Sequence, residues 1–178
     1  RDHDRERLRR CRGGVVPRLR GCVVLPRLPG RRSAKGALEL HANGVRYEGG
    51  FTNALHDGEG TMRSPNGYVY TGQWVSGVKE GKGRITYPDG AIYEGNLSRG
   101  ERSGQGVLTM PDGLIYDGAW KNGQINGLGT LTQPNGYKYE GQWNAGVKEG
   151  QGRITYPDGA VYEGGMLAGQ RAGKGKLT

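Results

Sequence analysis

Histidine is scarce in this sequence: among its 178 residues only His3, His41 and His56 are histidines. From residue 70 onward the chain therefore has no candidate for a Ser-His-acid triad or a histidine-based metal cluster. His56 stands in the first predicted hairpin loop, and we expect its side chain to be exposed to solvent. The many Gly-x-Gly pairs lack the third glycine and the following helix of a dinucleotide site. No catalytic residue, cofactor or metal is predicted, and the chain is expected not to be an enzyme.

Cysteine and long apolar runs are also scarce. Cys11 and Cys22 both lie near the N-terminus, so disulfides do not hold the rest of the fold together. No apolar run approaches the ~18 residues that a membrane-spanning helix needs, and the short apolar segment at 21–25 is too broken by proline and arginine for a signal peptide. These features predict a cytoplasmic location, with attachment at the periphery of a membrane or the cytoskeleton left open.

What the sequence has instead is a strict repeat. A tyrosine returns every 23 residues, followed by an acidic residue or threonine and then by glycine. Each copy continues with a bulky apolar residue, a polar loop, two glycines separated by one residue, and an aliphatic residue. A fixed period of this length indicates a unit too small to bury its own apolar face, stacked on copies of itself. The units begin at Tyr47, Tyr70, Tyr93, Tyr116, Tyr139 and Tyr162.

A degenerate half unit, residues 37–46, precedes the regular units. We match its segment 38–44 to the cognate segment 85–90, which places Leu38 at the aliphatic position of Ile85. On this match the half unit has one residue more than its cognate. Weak terminal units of this kind are typical caps of repeat arrays.

Between the turns, side chains alternate with a period of two. Tyr139, Gly141 and Trp143 share one face, whereas Glu140 and Gln142 share the other. This period indicates strands, so each unit is predicted to be a β-hairpin. Because the linkers are short, the predicted fold is all-β: an elongated, single-layer antiparallel β-meander of successive 23-residue hairpins. A glycine beside each tyrosine or tryptophan lets the ring lie flat over the neighbouring backbone.

Five units close with proline, then Asp or Asn, then glycine. Proline presets one backbone angle, whereas Asn, Asp and Gly tolerate positive φ, so tight turns are predicted at these sites. We assign Asp89, Asp112 and Asp158 to backbone hydrogen bonds within such turns rather than to acid–base chemistry.

Charge divides the chain at residue 36. Residues 1–36 hold 12 Lys and Arg against 3 Asp and Glu, whereas residues 37–178 hold 14 against 14. The basic, Arg/Pro-rich tail (1–36) has no hairpin pattern and no aromatic residue, and it is predicted to be disordered. An anionic membrane surface is a candidate partner for this tail. The repeat array (37–178) is neutral by count, so nucleic acid is not an expected partner.

Two segments carry a family signature: Tyr-Glu-Gly-Gln-Trp at 139–143 and Gly-Gln-Gly-Arg-Ile-Thr-Tyr-Pro-Asp-Gly at 150–159. With their cognates they resemble MORN repeats, over five full units from 47 to 161 and a sixth that ends at Thr178. The resemblance implies a non-catalytic role, because in enzymes that carry such repeats the catalytic domain lies outside them.

A second level of repetition spans three units. Residues 70–95 and 139–164 are identical at 21 of 26 positions. Internal duplication of a three-unit block accounts for this identity. The functional alternative is that the two blocks bind equivalent partners.

A single-layer sheet cannot cover all the edges of its aromatic side chains, and a contiguous exposed apolar strip usually marks an interaction site. The alternative is that the rings only pack on glycine and on each other. The predicted partner-binding residues are Tyr70, Trp74, Tyr87, Tyr93, Tyr116, Trp120, Tyr139, Trp143 and Tyr156.

These observations predict a non-catalytic repeat scaffold that binds a peptide or helix of a protein partner along the aromatic strip. Two alternatives stay open: a peripheral membrane or phospholipid tether, and a regulatory fragment of a larger enzyme. The identity of the partner and the oligomeric state are not specified by the sequence.

Overall fold

The computed structural model describes residues 22–24 and 33–178, which form one antiparallel sheet of 14 strands. Each strand pairs with its neighbours in the chain, so the sheet is a continuous meander, and the predicted all-β, single-layer architecture is confirmed. No helix among these residues has the length and apolar character to span a bilayer. The strands are β1 (Cys22–Val24), β2 (Ser33–Leu40), β3 (Arg46–Thr52), β4 (Leu55–Arg63), β5 (Val69–Val75), β6 (Val78–Thr86), β7 (Ile92–Ser98), β8 (Glu101–Thr109), β9 (Ile115–Lys121), β10 (Gln124–Thr132), β11 (Lys138–Asn144), β12 (Val147–Thr155), β13 (Val161–Leu167) and β14 (Gln170–Leu177).

Each unit forms one hairpin with a two-residue turn. In the hairpin of β5 and β6 the turn residues are Ser76 and Gly77, with φ of 48° and 84°. Positive φ at both positions gives a turn whose twist matches that of the flanking strands. In the first unit Ala54 holds the position of Gly77, with φ of 63°.

A different turn connects one unit to the next. At 87–90 the amide of Gly90 donates to the carbonyl of Tyr87 at 2.9 Å, and Asp89 Oδ1 accepts from the amide of Ala91 at 2.9 Å. Asp112 and Asp158 accept equivalent bonds two residues on, each at 3.0 Å. The assignment of these aspartates to turns is therefore confirmed.

The core lies on one face of the sheet. In β5, Tyr70, Gly72 and Trp74 are buried while the residues between them are exposed. The ring of Tyr70 covers Gly83 on the next strand, where an added Cβ would lie 2.5 Å from Tyr70 Cε2. Glycine is therefore needed at this position, and the predicted packing of flat rings on glycine backbone is confirmed.

Two hydrogen bonds fix the rings of the units that contain tryptophan. Tyr70 Oη donates to the carbonyl of Gln73 at 2.7 Å, and Trp74 Nε1 donates to the carbonyl of Gly60 at 3.3 Å. Buried polar atoms of Tyr and Trp need such partners. The tyrosine bond recurs in every unit, and the tryptophan bond recurs at Trp120 and Trp143.

The boundary between tail and array differs from the prediction. Strand β2 begins at Ser33, four residues before the predicted boundary, and β1 lies within the segment predicted to be disordered. Strand β2 pairs with the edge of β3, and β1 pairs with β2; the disorder of the tail stays a prediction. The rest of the predicted tail, 1–21 and 25–32, lies outside the described residues.

The half unit also has a different register from the predicted one. Glu39, not Leu38, pairs with Tyr47 as Ile85 pairs with Tyr93, so the half unit has no additional residue. Leu38 and Leu40 are 46% and 40% exposed. The turn decides the register: the amide of His41 donates to the carbonyl of Val45 just as Tyr87 donates to Ala91, each at 2.8 Å. An acidic side chain consequently stands where every other unit has an aliphatic one.

Candidate functional site

Most of the predicted partner-binding residues lie in the core. The side chains of Tyr70, Tyr93, Tyr116 and Tyr139 are fully buried, and Trp74, Trp120 and Trp143 are 5%, 4% and 7% exposed. The rings pack edge to face across strands, for example Trp120 with Tyr93 and Tyr116 at centroid distances of 5.3 and 5.2 Å. These seven side chains form the core of the sheet. Their role as partner contacts stays a prediction, and a partner would first have to displace the side chains that cover them.

The other two predicted residues, Tyr87 and Tyr156, lie at the accessible rim of this face. Both are half-buried and pack against the core. Each has a tyrosine neighbour that the sequence prediction did not include: Tyr68 lies 6.1 Å from Tyr87 between ring centroids, and Tyr137 lies 6.2 Å from Tyr156. The accessible aromatic surface therefore consists of tyrosine pairs beside the buried rings.

A lysine lies across each tyrosine pair. Lys79 Nζ donates to Tyr68 Oη at 2.6 Å and lies 4.6 Å from the centroid of the Tyr68 ring. Lys148 Nζ donates to Tyr137 Oη at 2.7 Å and lies 4.7 Å from that ring. Burial lowers the pKa of Lys79 and raises the pKa of Tyr68. The ammonium group is thus partly removed from water and held by ring faces and a phenol oxygen.

Each lysine has an arginine beside it, on the next hairpin of the sheet. Arg102 Cζ lies 4.4 Å from the centroid of Trp120 and 5.9 Å from that of Tyr87, and Nη2 donates to the carbonyl of Gly123 at 2.7 Å. Arg171 lies 5.4 Å from the centroid of Tyr162. Each guanidinium covers part of the aromatic core while leaving its charge at the surface.

These residues form two equivalent clusters, three repeat units apart. Every member of the first has a counterpart 69 residues later in the second. Each cluster borders a shallow depression: one of about 500 Å³ is lined by Tyr87, Arg102 and Met110, and one of about 400 Å³ by Tyr137, Tyr156 and Arg171. The first cluster is Tyr68, Lys79, Tyr87 and Arg102, and the second cluster is Tyr137, Lys148, Tyr156 and Arg171.

The repeat units identify the family of the chain. The MORN repeat family matches residues 47–67, 70–92, 93–115, 116–136, 139–161 and 162–178. The chain belongs to the MORN-repeat family. No curated protein matches it.

Several solved structures show a distant likeness to this MORN array. The wild-type TCP10 domain of zebrafish (Danio rerio) CPAP is 16% identical over 72% of this chain, with a TM-score of 0.45, and the chain spans 61% of that domain. The SAS-4 (dCPAP) TCP domain of Drosophila melanogaster, solved with a proline-rich motif of Ana2, is 25% identical over 78% of this chain and 71% of its own, with a TM-score of 0.43. The G-box domain of the microcephaly protein CPAP is 17% identical over 89% and 97% of the two chains, with a TM-score of 0.45. These TM-scores are too low to establish a common fold.

The two clusters of this MORN array contain residues that the sequence prediction left out, although the sequence pattern could have identified the cations among them. The period-two count that places Gly150, Gly152 and Ile154 on one face reaches Lys148 when extended by one step. The hairpin bulge adds two residues to this strand, between the pairs Gly141–Gly152 and Trp143–Lys148, and so keeps the lysine on the aromatic face. The same count applies to all six units, in which the residues equivalent to Lys148 are His56, Lys79, Arg102, Ile125, Lys148 itself and Arg171.

His56 is the most unexpected member of that series. It lies in strand β4 rather than in a loop, its ring stacks on Tyr47 at a centroid distance of 3.7 Å, and its side chain is only 18% exposed. The prediction of an exposed loop histidine is wrong, because the turn has just two residues, Asn53 and Ala54. His56 Nε2 lies 2.7 Å from Glu39 Oε2.

The opposite face of the MORN array is polar. Arg84 pairs with Glu94 at 3.1 Å and Arg153 with Glu163 at 3.3 Å, and all four side chains are more than half exposed. Exposed pairs of this kind stabilise a protein by less than about 1 kcal/mol. Cations and carboxylates balance on this face, and it also exposes apolar side chains, among them Val75, Leu128 and Leu167 at 55%, 68% and 60%.

Proposed function

We propose that this MORN-repeat protein is a non-catalytic scaffold that binds an acidic segment of a partner protein across the two clusters of its aromatic face. The observation that carries the proposal is the uncompensated charge of Lys79 and Lys148. Each ammonium group is hydrogen-bonded to a phenol oxygen, and neither forms an ion pair with a carboxylate within the described part of the chain.

The charge of the aromatic face supports an acidic partner. The inward-facing positions of β3–β14 carry Lys79, Arg102, Lys148 and Arg171, and by the register none of these positions holds an acidic residue. A carboxylate that reached Lys79 would meet a cation already partly desolvated, where a charge-assisted hydrogen bond is stronger than in water. Positive surface that faces a negative segment also accelerates association.

The tyrosines supply the apolar part of the surface. Half-buried rings beside a depression are typical anchors for a bound side chain, because they bury area at little cost in conformational entropy. Between the clusters, Ile125 replaces the cation of the other units, and Met110 and Leu114 lie at the positions of Tyr87 and Tyr68. A partner segment that alternates acidic and apolar side chains therefore complements the whole face.

A peptide-display selection tests the proposal. The full chain is presented to a random peptide library, and the selected sequences are compared with those from a Lys79→Met/Lys148→Met variant. The matched control is Lys82→Met/Lys176→Met, the same change on the opposite face, where Lys82 pairs with Asn96 and Lys176 with Glu163. We expect acidic, apolar peptides from the natural chain and the control, and their loss from the cluster variant.

Two results would refute this assignment. One is that the cluster variant, still folded by circular dichroism, selects the same peptides with the same affinity. The other is that the natural chain selects no peptide but binds anionic vesicles, a binding that Lys79→Met/Lys148→Met abolishes. The second result would support the alternative in which the two clusters bind a membrane rather than a protein.

A further inference from the structure

We propose that Glu39, His41 and His56 form a binding site for a divalent transition-metal ion, with Zn²⁺ as the expected occupant. Glu39 Oε2 lies 2.7 Å from His56 Nε2 and 3.3 Å from His41 Nε2. The three donor atoms all lie within 4.8 Å of one another. Two imidazole nitrogens and one carboxylate oxygen are a ligand set that Zn²⁺ accepts.

Two residues of the candidate metal site, Glu39 and His56, depart from the repeat pattern. Glu39 occupies the position that is aliphatic elsewhere, and His56 occupies the position that holds a cation or Ile125 in the other units. Glu39 without His56 would place an unmatched carboxylate beside the aromatic core. Local violations of a repeat pattern that contact each other favour a functional site over drift. The residues at the position of Glu39 in the regular units are Met62, Ile85, Leu108, Leu131, Ile154 and Leu177.

Two of the three distances between donor atoms are close to those that a tetrahedrally coordinated ion requires. With metal–ligand distances of about 2.0–2.2 Å, neighbouring ligand atoms lie roughly 3.4 Å apart. The separation of Glu39 Oε2 from His41 Nε2 already matches this value. His56 Nε2 and Glu39 Oε2 must separate by roughly 0.7 Å, a movement that the rotatable bonds of the glutamate allow.

The surroundings hold one ligand in place and leave the site open on one side. The His56 ring is stacked on Tyr47 and touches Phe51 and Trp74 edge-on, at centroid distances of 5.3 and 4.9 Å. The side chain of His41 is 43% exposed, against 21% for Glu39. An ion can therefore enter from the side of His41, and the fourth coordination position points to water or to a donor from another molecule.

The test measures Zn²⁺ binding in a background without competing ligands. His3, Cys11 and Cys22 are the other histidine and cysteines of the chain, so the background carries His3→Ala, Cys11→Ser and Cys22→Ser. Calorimetric titration of this full-length protein at neutral pH should give one saturable Zn²⁺ site. The ion should also raise the melting temperature, because it binds the folded state only. Co²⁺ should give the visible absorption of a tetrahedral nitrogen–oxygen site.

The variants use residues that the other units already place at these positions. Glu39→Ile introduces the residue of the two duplicated blocks, and His56→Lys introduces Lys79 or Lys148 of those blocks. Both are expected to fold and to lose Zn²⁺ binding. His41→Ala changes an exposed side chain and should weaken Zn²⁺ affinity at least about tenfold.

Two results would overturn the proposal. The first is that the background protein shows no saturable binding of either Zn²⁺ or Co²⁺. The second is that Glu39→Ile and His56→Lys, both folded by circular dichroism, bind Zn²⁺ as tightly as the background does. Neither result depends on whether the two clusters bind a peptide.

Discussion

At the scale of single residues, the sheet depends on glycines that make room for rings. Gly106 lies under the Tyr93 ring, where an added Cβ would be 2.5 Å from Tyr93 Cε2. The ring cannot move away, because Tyr93 Oη is bonded to the carbonyl of Asn96 at 2.7 Å. We expect Gly106→Ala to lower the free energy of unfolding by about 1–3 kcal/mol, measured by denaturant titration. Gly146→Asn is the control, because its turn has open space and Asn tolerates positive φ; a larger loss in the control would contradict this account.

Ala54 offers the opposite change. It is the one residue other than glycine at the second position of the six hairpin turns, and its φ of 63° is unfavourable for a side chain with a Cβ. Ala54→Gly should raise the free energy of unfolding by about 0.5–1 kcal/mol. Relief of backbone strain stabilises the variant, and the greater entropy of glycine in the unfolded chain offsets part of this gain. The thermal midpoint of the variant measures this. A decrease would show that the turn has no strain to relieve.

The core tyrosines make stability sensitive to alkaline pH. Burial raises the pKa of Tyr47, Tyr93 and Tyr116 to about 12, whereas tyrosine in an unfolded chain titrates near pH 10. Between about pH 10 and 12 the unfolded state has therefore lost protons that the folded state keeps. Stability is intact below about pH 10 and falls as pH rises, approaching roughly 1.4 kcal/mol per pH unit for each such tyrosine.

Denaturant titrations at a series of alkaline pH values measure this loss. Tyr93→Phe is the comparison, since it removes one titrating group and keeps the ring. It should be less stable near neutral pH, because the bond to the carbonyl of Asn96 is lost. Its stability should also decline less steeply with pH. Equal slopes for the two proteins would show that Tyr93 does not titrate with unfolding.

At the scale of hairpins, each unit contacts only its neighbours, so a whole unit should be removable. Deleting residues 93–115 brings β6 beside β9 and lets Trp120 Nε1 donate to the carbonyl of Gly83 in place of Gly106. This variant should fold, with a lower thermal midpoint, because stability in such arrays is a sum over units and their interfaces. Near-UV circular dichroism of the tryptophans reports the packing.

A deletion one residue shorter, 93–114, is the matched control. It leaves Tyr116 one residue out of phase with Gly83 and Ile85, and a shift of one residue turns every side chain of a strand to the opposite face. We expect it to lose the near-UV signal of Trp120. If the two deletion variants have the same thermal midpoint, the 23-residue repeat does not set the register of the strands.

The hairpins were predictable because their causes are local. The period of two, the proline turns and the alternation of rings with glycine each depend on neighbours within one unit. The register of the half unit could not be predicted in this way. Either Leu38 or Glu39 could occupy the position opposite Tyr47, and the hydrogen bond from His41 to Val45 in the turn determines which of them does. The exposure of the rings was not predictable either. It depends on side chains such as those of Lys79 and Arg102, which lie over the faces of core rings.

At the scale of the whole molecule, the two clusters present equivalent surfaces on a single sheet. The clusters are separated by six strand spacings, roughly 29 Å at about 4.8 Å per strand. Ile125 interrupts the cations between them, so the positive charge is concentrated at two points rather than spread along the face. A scaffold of this form is suited to partners with two acidic segments, or to two partners at once.

This arrangement predicts the stoichiometry of binding. A short peptide from the display selection, too short to reach across both clusters, should bind at two equivalents per chain. Lys79→Met should leave one equivalent with unchanged affinity, because distant sites that share no contacts act independently. Isothermal titration measures both quantities. A single equivalent on the natural chain would show that the duplicated blocks are not equivalent sites.

The same spacing sets the outcome for a tandem peptide. Two copies joined by a Gly/Ser linker of about 25–30 residues, whose mean span is near 29 Å, should bind one chain through both clusters and gain affinity by about a hundredfold or more. Lys148→Met should return the tandem peptide to the affinity of the single copy, since one cluster is then lost, whereas Lys176→Met on the opposite face should not. A tandem peptide that gains nothing on the natural chain would mean that the two clusters cannot be occupied together, and the array would then present two alternative sites rather than one bivalent surface.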